Sequence, residues 1–419
     1  MTKKVGIIGL GVVGEAVVEA LLKYRTLIAM RMPLKIEVKK VCDIKKGVVS
    51  KYKLPFTKNP YEIINDPDID IVVELIGGIN PARSYIISAL KKGKDVVTAN
   101  KALLAEYGRD LFNLAGKLGR SIGFEASVCG AIPIIKSISE ALVGCEINKL
   151  YGILNGTTNY ILYQMYKNKV DFKKALGEAQ KKGFAEKSPY LDIEGIDALH
   201  KLSILAYLCF GVWPEIKNIY VEGISRITLL DIMYARDLSY RIKLLAIAKK
   251  EQKKISLRVH PTLIRDEHPL SEINYAFNGI WLHTHPAGEL LFYGEGAGGV
   301  STSSSVMADI VNVSLRKNVS QIKSMKVEFE SINNLRTRYY IRFMALDKPG
   351  VLAKVSRILA SSRISIASVT QKERNRGKFV PIVMITHEAK ESDLKKALFK
   401  IDRLDLIKSP SQLIRIEDK

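Results

Sequence analysis

Over its first hundred residues the chain alternates short apolar runs with longer segments whose apolar positions recur at helical spacing. VGII, residues 5–8, is a run of the first kind, suited to a strand buried on both faces. EAVVEALLKY behind it repeats apolar residues every three or four positions, which predicts an amphipathic helix. Further strands are expected at KIEVKKVCD (35–43), IDIVVELIGG (69–78) and KDVVTANK (94–101). Strands that alternate with helices predict a doubly wound parallel sheet, Rossmann-type and α/β in class, with ligand at the carboxyl ends of its strands. In the middle of the chain KLYGIL (149–154) reads as a strand, NYILYQMYK (159–167) as a helix, and GIDALHK (195–201) as the start of another helix.

The pattern changes after a basic, polar connector around Lys317 to Arg338. The stretch 339–371 reads strand, turn, helix, strand; 379–401 reads strand, then helix; and SPSQLIRIED closes with a short strand. That order, βαββαβ, predicts a ferredoxin-like unit. The expected division is a nucleotide-binding domain at 1–130, completed by about 300–325, and an α+β domain at 131–299, whose substrate-binding and dimerisation roles are implied only by family resemblance. A linker follows at 326–336, and the ferredoxin-like domain occupies 337–419.

Composition narrows the class. At 419 residues, 47% hydrophobic and 26% charged, the chain has room for two or three domains and no disordered-type bias. Its apolar runs are broken by lysine or glycine short of the ~18 residues a membrane span needs, so no membrane association is expected. MTKKVGIIGLG enters a strand directly, which leaves no secretory leader. Cys42, Cys129, Cys145 and Cys209 show no paired spacing, so reduced thiols and a cytoplasmic location are expected. The net charge of +22 would suit nucleic acid, but the lysines are spread in short pairs without aromatic interleaving. No nucleic-acid partner is expected; the charge reads as general attraction for anionic small molecules.

Gly9-Leu10-Gly11-Val12-Val13-Gly14 stands between a strand and a helix, the context that makes GxGxxG informative. Gly9 permits the turn, Gly11 lets the backbone approach a pyrophosphate, and Gly14 lets the helix pack on the strand. The helix N-terminus then offers free N–H groups to the phosphates. Gly77 and Lys101 end the third and fourth strands on the same side. At the second strand's end Asp43 suits a ribose hydroxyl, hence NAD, whereas Lys45 and Lys46 suit a 2′-phosphate, hence NADP. Both cofactors stay open. Asp197 and Lys201 are four apart and share a helix face, as a surface ion pair would or as a polar site would. NGTTNY, residues 155–160, reads as a small polar loop whose hydroxyls and N–H groups suit a carboxylate, a helix cap, or both. His283 and His285, with His260 and His268 earlier, make zinc conceivable, although HTHPAGELLFYG looks more like an exposed strand and turn.

GLGVVG, ELIGG (74–78), VVTANKALLA (96–105), FEASVCGAIPII (124–135), LNGTTNYIL (154–162), GFAEKSPYLDIEGIDALHKLSILA (183–206) and GEGAGG (294–299) together resemble homoserine dehydrogenase over nearly the whole chain. LDKPGVLAKV resembles the ACT regulatory domain, which commonly binds amino acids between paired copies. The resemblance implies reversible NAD(P)-dependent hydride transfer between L-homoserine and L-aspartate 4-semialdehyde, with threonine as the expected feedback effector. It implies Lys201 as acid/base and Lys101 as the second lysine of the site. Glu186 and Asp197 would bind the substrate, together with Asp192, Asn155, Gly156 and Thr157, and Gly298 would lie near the cofactor. It also implies a sodium-type cation held by Glu125, Val128, Gly130 and Ile132, and at least a homodimer. The chain departs from the family pattern at Cys129, Ser188, Ser301, Ser303 and Ser305. Two other readings fit the scaffold: another amino-acid dehydrogenase, and a non-catalytic nucleotide or amino-acid sensor. An ACT-like unit that serves only dimerisation is a further one.

Overall fold

Six parallel strands open the chain: β1 (Thr2–Ile8), β2 (Lys35–Cys42), β3 (Phe56–Thr57), β4 (Ile71–Glu74), β5 (Asp95–Thr98) and β6 (Ile122–Gly123). The structure, a computed structural model, describes residues 1–45, 52–315, 327–372 and 376–418, so Lys46 and the 317–326 part of the expected connector lie outside the described residues. The strand order is β3-β2-β1-β4-β5-β6, with the direction of winding reversing between β1 and β4. That reversal opens a crevice at the carboxyl ends of the two strands, where doubly wound folds bind ligands. β4 is buried throughout, as a central parallel strand must be. Lys101, expected at the end of a strand, instead begins the Lys101–Lys117 helix, because Asn100 turns the chain and caps that helix by accepting Leu103 N. The Gly299–Ser314 helix returns to this domain and packs on the Val12–Arg31 helix and on β5 and β6.

A second, mixed sheet of twelve strands carries the rest. Its strands are β7 (Glu146–Ile153), β8 (Tyr220–Val221), β9 (Tyr240–Glu251), β10 (Lys254–Arg265), β11 (Phe277–His285), β12 (Gly288–Glu295), β13 (Glu328–Phe329), β14 (Arg336–Leu346), β15 (Ile366–Thr370), β16 (Phe379–Thr386), β17 (Ala389–Lys390) and β18 (Gln412–Glu417). The path runs β12-β11-β7-β9-β10-β18-β14-β16-β15. Its last four strands carry the helices Val351–Ser361 and Glu391–Ile401, which gives the expected ferredoxin-like unit. Tyr339, Phe343, Val355, Leu359, Leu394 and Ile401 build its core.

This unit is not hung on a free connector. β18 pairs in parallel with β10, Thr262 opposite Arg415 and Ile264 opposite Glu417, so one sheet runs through both domains. Within the 326–336 stretch, expected as a linker, β13 pairs with β10 and Arg336 already belongs to β14. Alternation could not reveal the join, because a strand with partners on both sides has the same pattern whichever domain supplies them.

Candidate active site

The Ile196–Phe210 helix is buried almost all round, so its polar residues need partners inside the protein. Gly195 makes its start possible: φ is +80°, and a Cβ there would press on Val221 and Val259 at 3.2 Å. Asp197 and Lys201 are each 7% exposed. Lys201 Nζ donates to Asp197 Oδ2 at 2.8 Å and to the Leu154 carbonyl at 2.6 Å. Lys101 Nζ reaches the other oxygen, Asp197 Oδ1, at 2.6 Å. One carboxylate therefore bridges two ammonium groups that are a hundred residues apart in the chain. Burial would raise the Asp197 carboxyl, but Lys201 and Lys101 outweigh it and hold it well below the usual carboxylate range. Burial likewise pulls Lys201 down, yet the Asp197 charge wins and leaves the ammonium raised.

Asn155 joins this cluster from the end of β7. Its amide donates to Asp192 Oδ1 at 2.7 Å and Asp197 Oδ2 at 3.0 Å, while its carbonyl oxygen caps the following helix through Thr158 N. The helix begins at Gly156, so only Asn155 of the expected NGTTNY loop lies outside it. A Cβ at Gly156 would meet the Ala276 carbonyl at 2.5 Å, and the Thr157 hydroxyl donates to the Phe184 carbonyl. Asp192 is raised by burial.

These groups line a cleft of about 670 Å³. Val13 of the glycine turn, Lys101, Asn155, Asp192, Lys201 and Gly298 all face it. The glycine turn beside it fits a dinucleotide. Gly9 has φ +102°, with no room for a Cβ against the Leu75 backbone, and a Cβ at Gly14 would sit 2.0 Å from the Gly9 carbonyl oxygen. Gly11 faces open space, and the Val12–Arg31 helix has no side-chain cap over its first N–H groups. Leu10 N and Lys45 N both donate to the Asp43 carboxylate, at 2.6 and 2.9 Å, which fixes the acid at the turn. Gly77 lies at φ +73° and its N–H is held by buried Glu74.

Glu186 stands apart. It is exposed, its side chain is absent from the cleft lining, and its backbone carbonyl accepts Gln180 Nε2. Of the four expected cation ligands, Glu125, Gly130 and Ile132 each already accept hydrogen bonds within the protein. Glu125 accepts Ile135 N and Lys136 N at 2.8 and 2.9 Å, Ser305 donates to the Gly130 carbonyl, and Ile134 N to that of Ile132. Burial pushes Glu125 up to about 7, and Glu125 N donates to buried Asp309, whose own carboxyl is pushed well up by burial and by the Glu125 charge. Two adjacent buried acids are oxygen donors of the type that would suit a hard cation. The histidines do not converge: no group of three or more His, Cys, Asp or Glu with metal-binding geometry occurs among the described residues. No helix among them is long and apolar enough to cross a membrane.

Pattern reading missed Asn278, Thr98 and Asn100. Thr98 Oγ1 donates to Glu74, and the Asn100 amide to the Gly78 carbonyl, so both brace the strand ends around the cleft. Asn278 had a usable signal: a lone amide in the buried run AFNGIWL requires partners.

Comparison with known proteins agrees with this geometry. The family model for homoserine dehydrogenase matches residues 133–311, that for its NAD-binding domain residues 9–125, and that for the ACT domain residues 339–404. The chain is similar to homoserine dehydrogenase of Helicobacter pylori, 40% identical over 99% of each chain, and to that of Neisseria gonorrhoeae, 37% identical over 99% of this chain and 98% of the relative. Among solved structures it resembles a homoserine dehydrogenase from Thiobacillus denitrificans, with TM-score 0.92 and 40% identity over 100% of this chain and 99% of that one. A hyperthermophilic archaeal homoserine dehydrogenase in complex with NADPH aligns with TM-score 0.64 and 27% identity, over 75% of this chain and 98% of that one.

Proposed function

The chain belongs to the homoserine dehydrogenase family, and we propose that Lys201, with Lys101 and Asp197, performs the proton transfer of the family's reaction. As an NAD(P)-dependent oxidoreductase of that family it interconverts L-homoserine and L-aspartate 4-semialdehyde, on the route to threonine, methionine and isoleucine. The observation that carries the proposal is the Asp197 bridge between two ammonium groups, on the wall of a cleft that the cofactor turn also lines. When bound, the nicotinamide takes or gives the hydride. The residues handle the charge. In homoserine oxidation the hydroxyl proton passes to a neutral Lys201 Nζ; in reduction the ammonium returns it to the developing alkoxide. Lys201 already donates to Asp197 and Leu154, so its third N–H is left for the reacting oxygen. Lys101 adds a second positive charge beside it.

Asp192, Asn155, Gly156 and Thr157 are assigned to the substrate's ammonium and carboxylate, with Glu186 joining from the adjacent loop. Gly9 to Gly14, Asp43, Lys45, Gly77, Lys101 and Gly298 are assigned to NADP or NAD. The NADPH complex of the archaeal relative supports the phosphorylated form. Glu125, Val128, Gly130 and Ile132 are assigned to sodium. A cytoplasmic homodimer or larger homo-oligomer completes the reading.

The test is spectrophotometric homoserine oxidation with each cofactor. Lys201→Ala should lose about 100-fold or more of turnover and still bind cofactor; normal turnover would remove the assignment. Because the proton acceptor must be neutral, the rate should climb toward alkaline pH; a profile flat from neutral to alkaline pH in single-turnover measurements would count against it.

We assign threonine to a cleft of about 710 Å³ in the ACT unit, lined by Asp347 to Leu352, Gln371 and Arg376. Gly350 there has φ +88° and precedes the Val351–Ser361 helix, whose first N–H groups suit a carboxylate. Gly350→Val strains that turn, so threonine inhibition should vanish while the uninhibited rate persists. Unchanged inhibition would place the effector elsewhere.

A further inference from the structure

Asn278 on β11 is fully buried, and its amide donates twice: to the Leu154 carbonyl at 3.0 Å and to Cys129 Sγ at 3.2 Å. The same Leu154 oxygen accepts Lys201 Nζ at 2.6 Å. Two donors thus converge on one carbonyl, the first a neutral amide and the second the ammonium assigned to proton transfer. The amide is wedged in place. A Cβ at Gly296, in the cleft wall, would come within 2.1 to 2.3 Å of its Cγ, Oδ1 and Nδ2. Its Oδ1 is buried with no hydrogen-bond partner among the described residues. An unpaired buried acceptor is unfavourable, and a fully apolar residue would avoid it, so the donor side of this amide must carry the reason for its presence.

We propose that Asn278 is a positioning residue for proton transfer: by occupying part of the Leu154 carbonyl it loosens that oxygen's hold on the Lys201 ammonium and keeps the lysine easier to deprotonate. The inference rests on Lys201 being the acid/base. Two effects have the same sign. An oxygen that already accepts one N–H is a weaker acceptor for a second, and the positive end of the amide dipole, aimed at the oxygen Lys201 also uses, opposes a cation there. The charged and titratable groups around Lys201 are Asp197 and His200 on its own helix, Asp192 from the preceding turn, Lys101 from the facing helix, and Cys129. Asp197, His200, Asp192 and Lys101 keep their contacts when Asn278 is replaced; Cys129 alone loses a donor, and its thiol, already pushed up by burial, then stays uncharged, so the change at Leu154 is what the profile reads.

The measurement is the pH profile of single-turnover hydride transfer from homoserine, in the full chain. Asn278→Leu keeps the branched four-atom shape, with bulkier methyl ends, and removes the donor. The alkaline limb should move up by about half to one pH unit, so that the rate near pH 8 falls roughly three- to tenfold while the high-pH plateau is kept. Gly296→Ala pushes the amide off its site without altering it chemically and should shift the limb in the same direction. NADPH fluorescence identifies which variants are folded. A residue that only supports the fold would lower the rate equally at every pH. An unshifted limb in whichever variant binds NADPH therefore overturns the inference. If Lys201→Ala itself keeps turnover, the failure belongs to the assignment of Lys201 instead.

Discussion

Two of the buried carboxylates that lie between two cations, Asp197 and Glu417, behave differently. Asp197 bridges Lys101 and Lys201 in the cleft, at 2.6 and 2.8 Å. Glu417 bridges Arg258 and Lys249 where the ACT strand β18 joins β10, at 2.5 and 2.7 Å. The distances are nearly the same, yet the lysines shift in opposite directions. Lys201 is raised, whereas Lys249 is lowered by burial, which the Glu417 charge does not overcome. The neighbours make the difference. Lys249 shares its acid with a fully buried guanidinium that never loses its charge, and Tyr151 takes part of the same carboxylate. Lys201 shares its acid with Lys101, whose side chain is 42% exposed and so keeps much of its hydration, and Asp192 adds a second negative charge. At the domain join, surplus positive charge is a cost that the shared sheet carries. Beside the cleft, the same surplus faces open volume where an alkoxide can form.

Removing each acid should separate the two roles. Asp197→Asn leaves both ammonium groups without their anchor, so turnover should fall about 100-fold or more. The residual activity should also turn on at lower pH, because burial then outweighs the remaining Asp192 charge on Lys201. The single-turnover pH profile reads both effects, and a limb moved upward would contradict the origin given for the raised lysine. Glu417→Gln should instead act on stability. It leaves buried Arg258 and half-buried Lys249 without their counter-charge, a loss on the order of 3–5 kcal/mol. Thermal unfolding measures this, and the hydride-transfer rate of protein kept folded in the cold should stay within about twofold of the parent. A large loss of that rate would mean that the join and the cleft are coupled. The continuous sheet also bears on deletion of the ACT unit: cutting before β14 removes β18 and strands the same two cations, so deletion tests the fold along with regulation.

What the sequence revealed follows the same division. The cofactor turn was legible because its constraints are local: a glycine that needs positive φ, another that a Cβ would push into a carbonyl, and a helix starting at once. Lys101, Asp197 and Lys201 came from motif resemblance; spacing alone allowed an ordinary surface pair. The ion pairs at the join were not legible at all. Arg258 and Glu417 are 159 residues apart, and each reads alone as a charged residue in a strand. Asn278 shows the intermediate case, a polar residue in an apolar run that announces a need for partners without naming them.

Lys243 extends the comparison to a buried lysine with no ion-pair partner among the described residues, and it carries the smallest predicted effect. It lies on β9 and is 3% exposed, with Nζ donating to the Asn159 side-chain oxygen at 3.0 Å and to the Ile273 carbonyl at 2.5 Å. Burial, with repulsion from Arg241, lowers it to about 7; Glu272 opposes only weakly. The unfolded chain keeps the ordinary lysine value, 10.5, so between about 7 and 10.5 the unfolded state binds more protons than the folded one. Stability from this group is therefore fully present above that window and is lost as pH falls through it, at up to about 1.4 kcal/mol per unit. Below about 7 both states are protonated and the dependence ends. Lys243→Met removes the titrating group. The stability of the parent minus that of the variant should accordingly grow as pH rises from neutral to about 9, measured by denaturant midpoints at several pH values. Parallel curves would mean that the two neutral acceptors hold the ammonium as well as water does, and the lysine series would then depend on something other than its counter-charge.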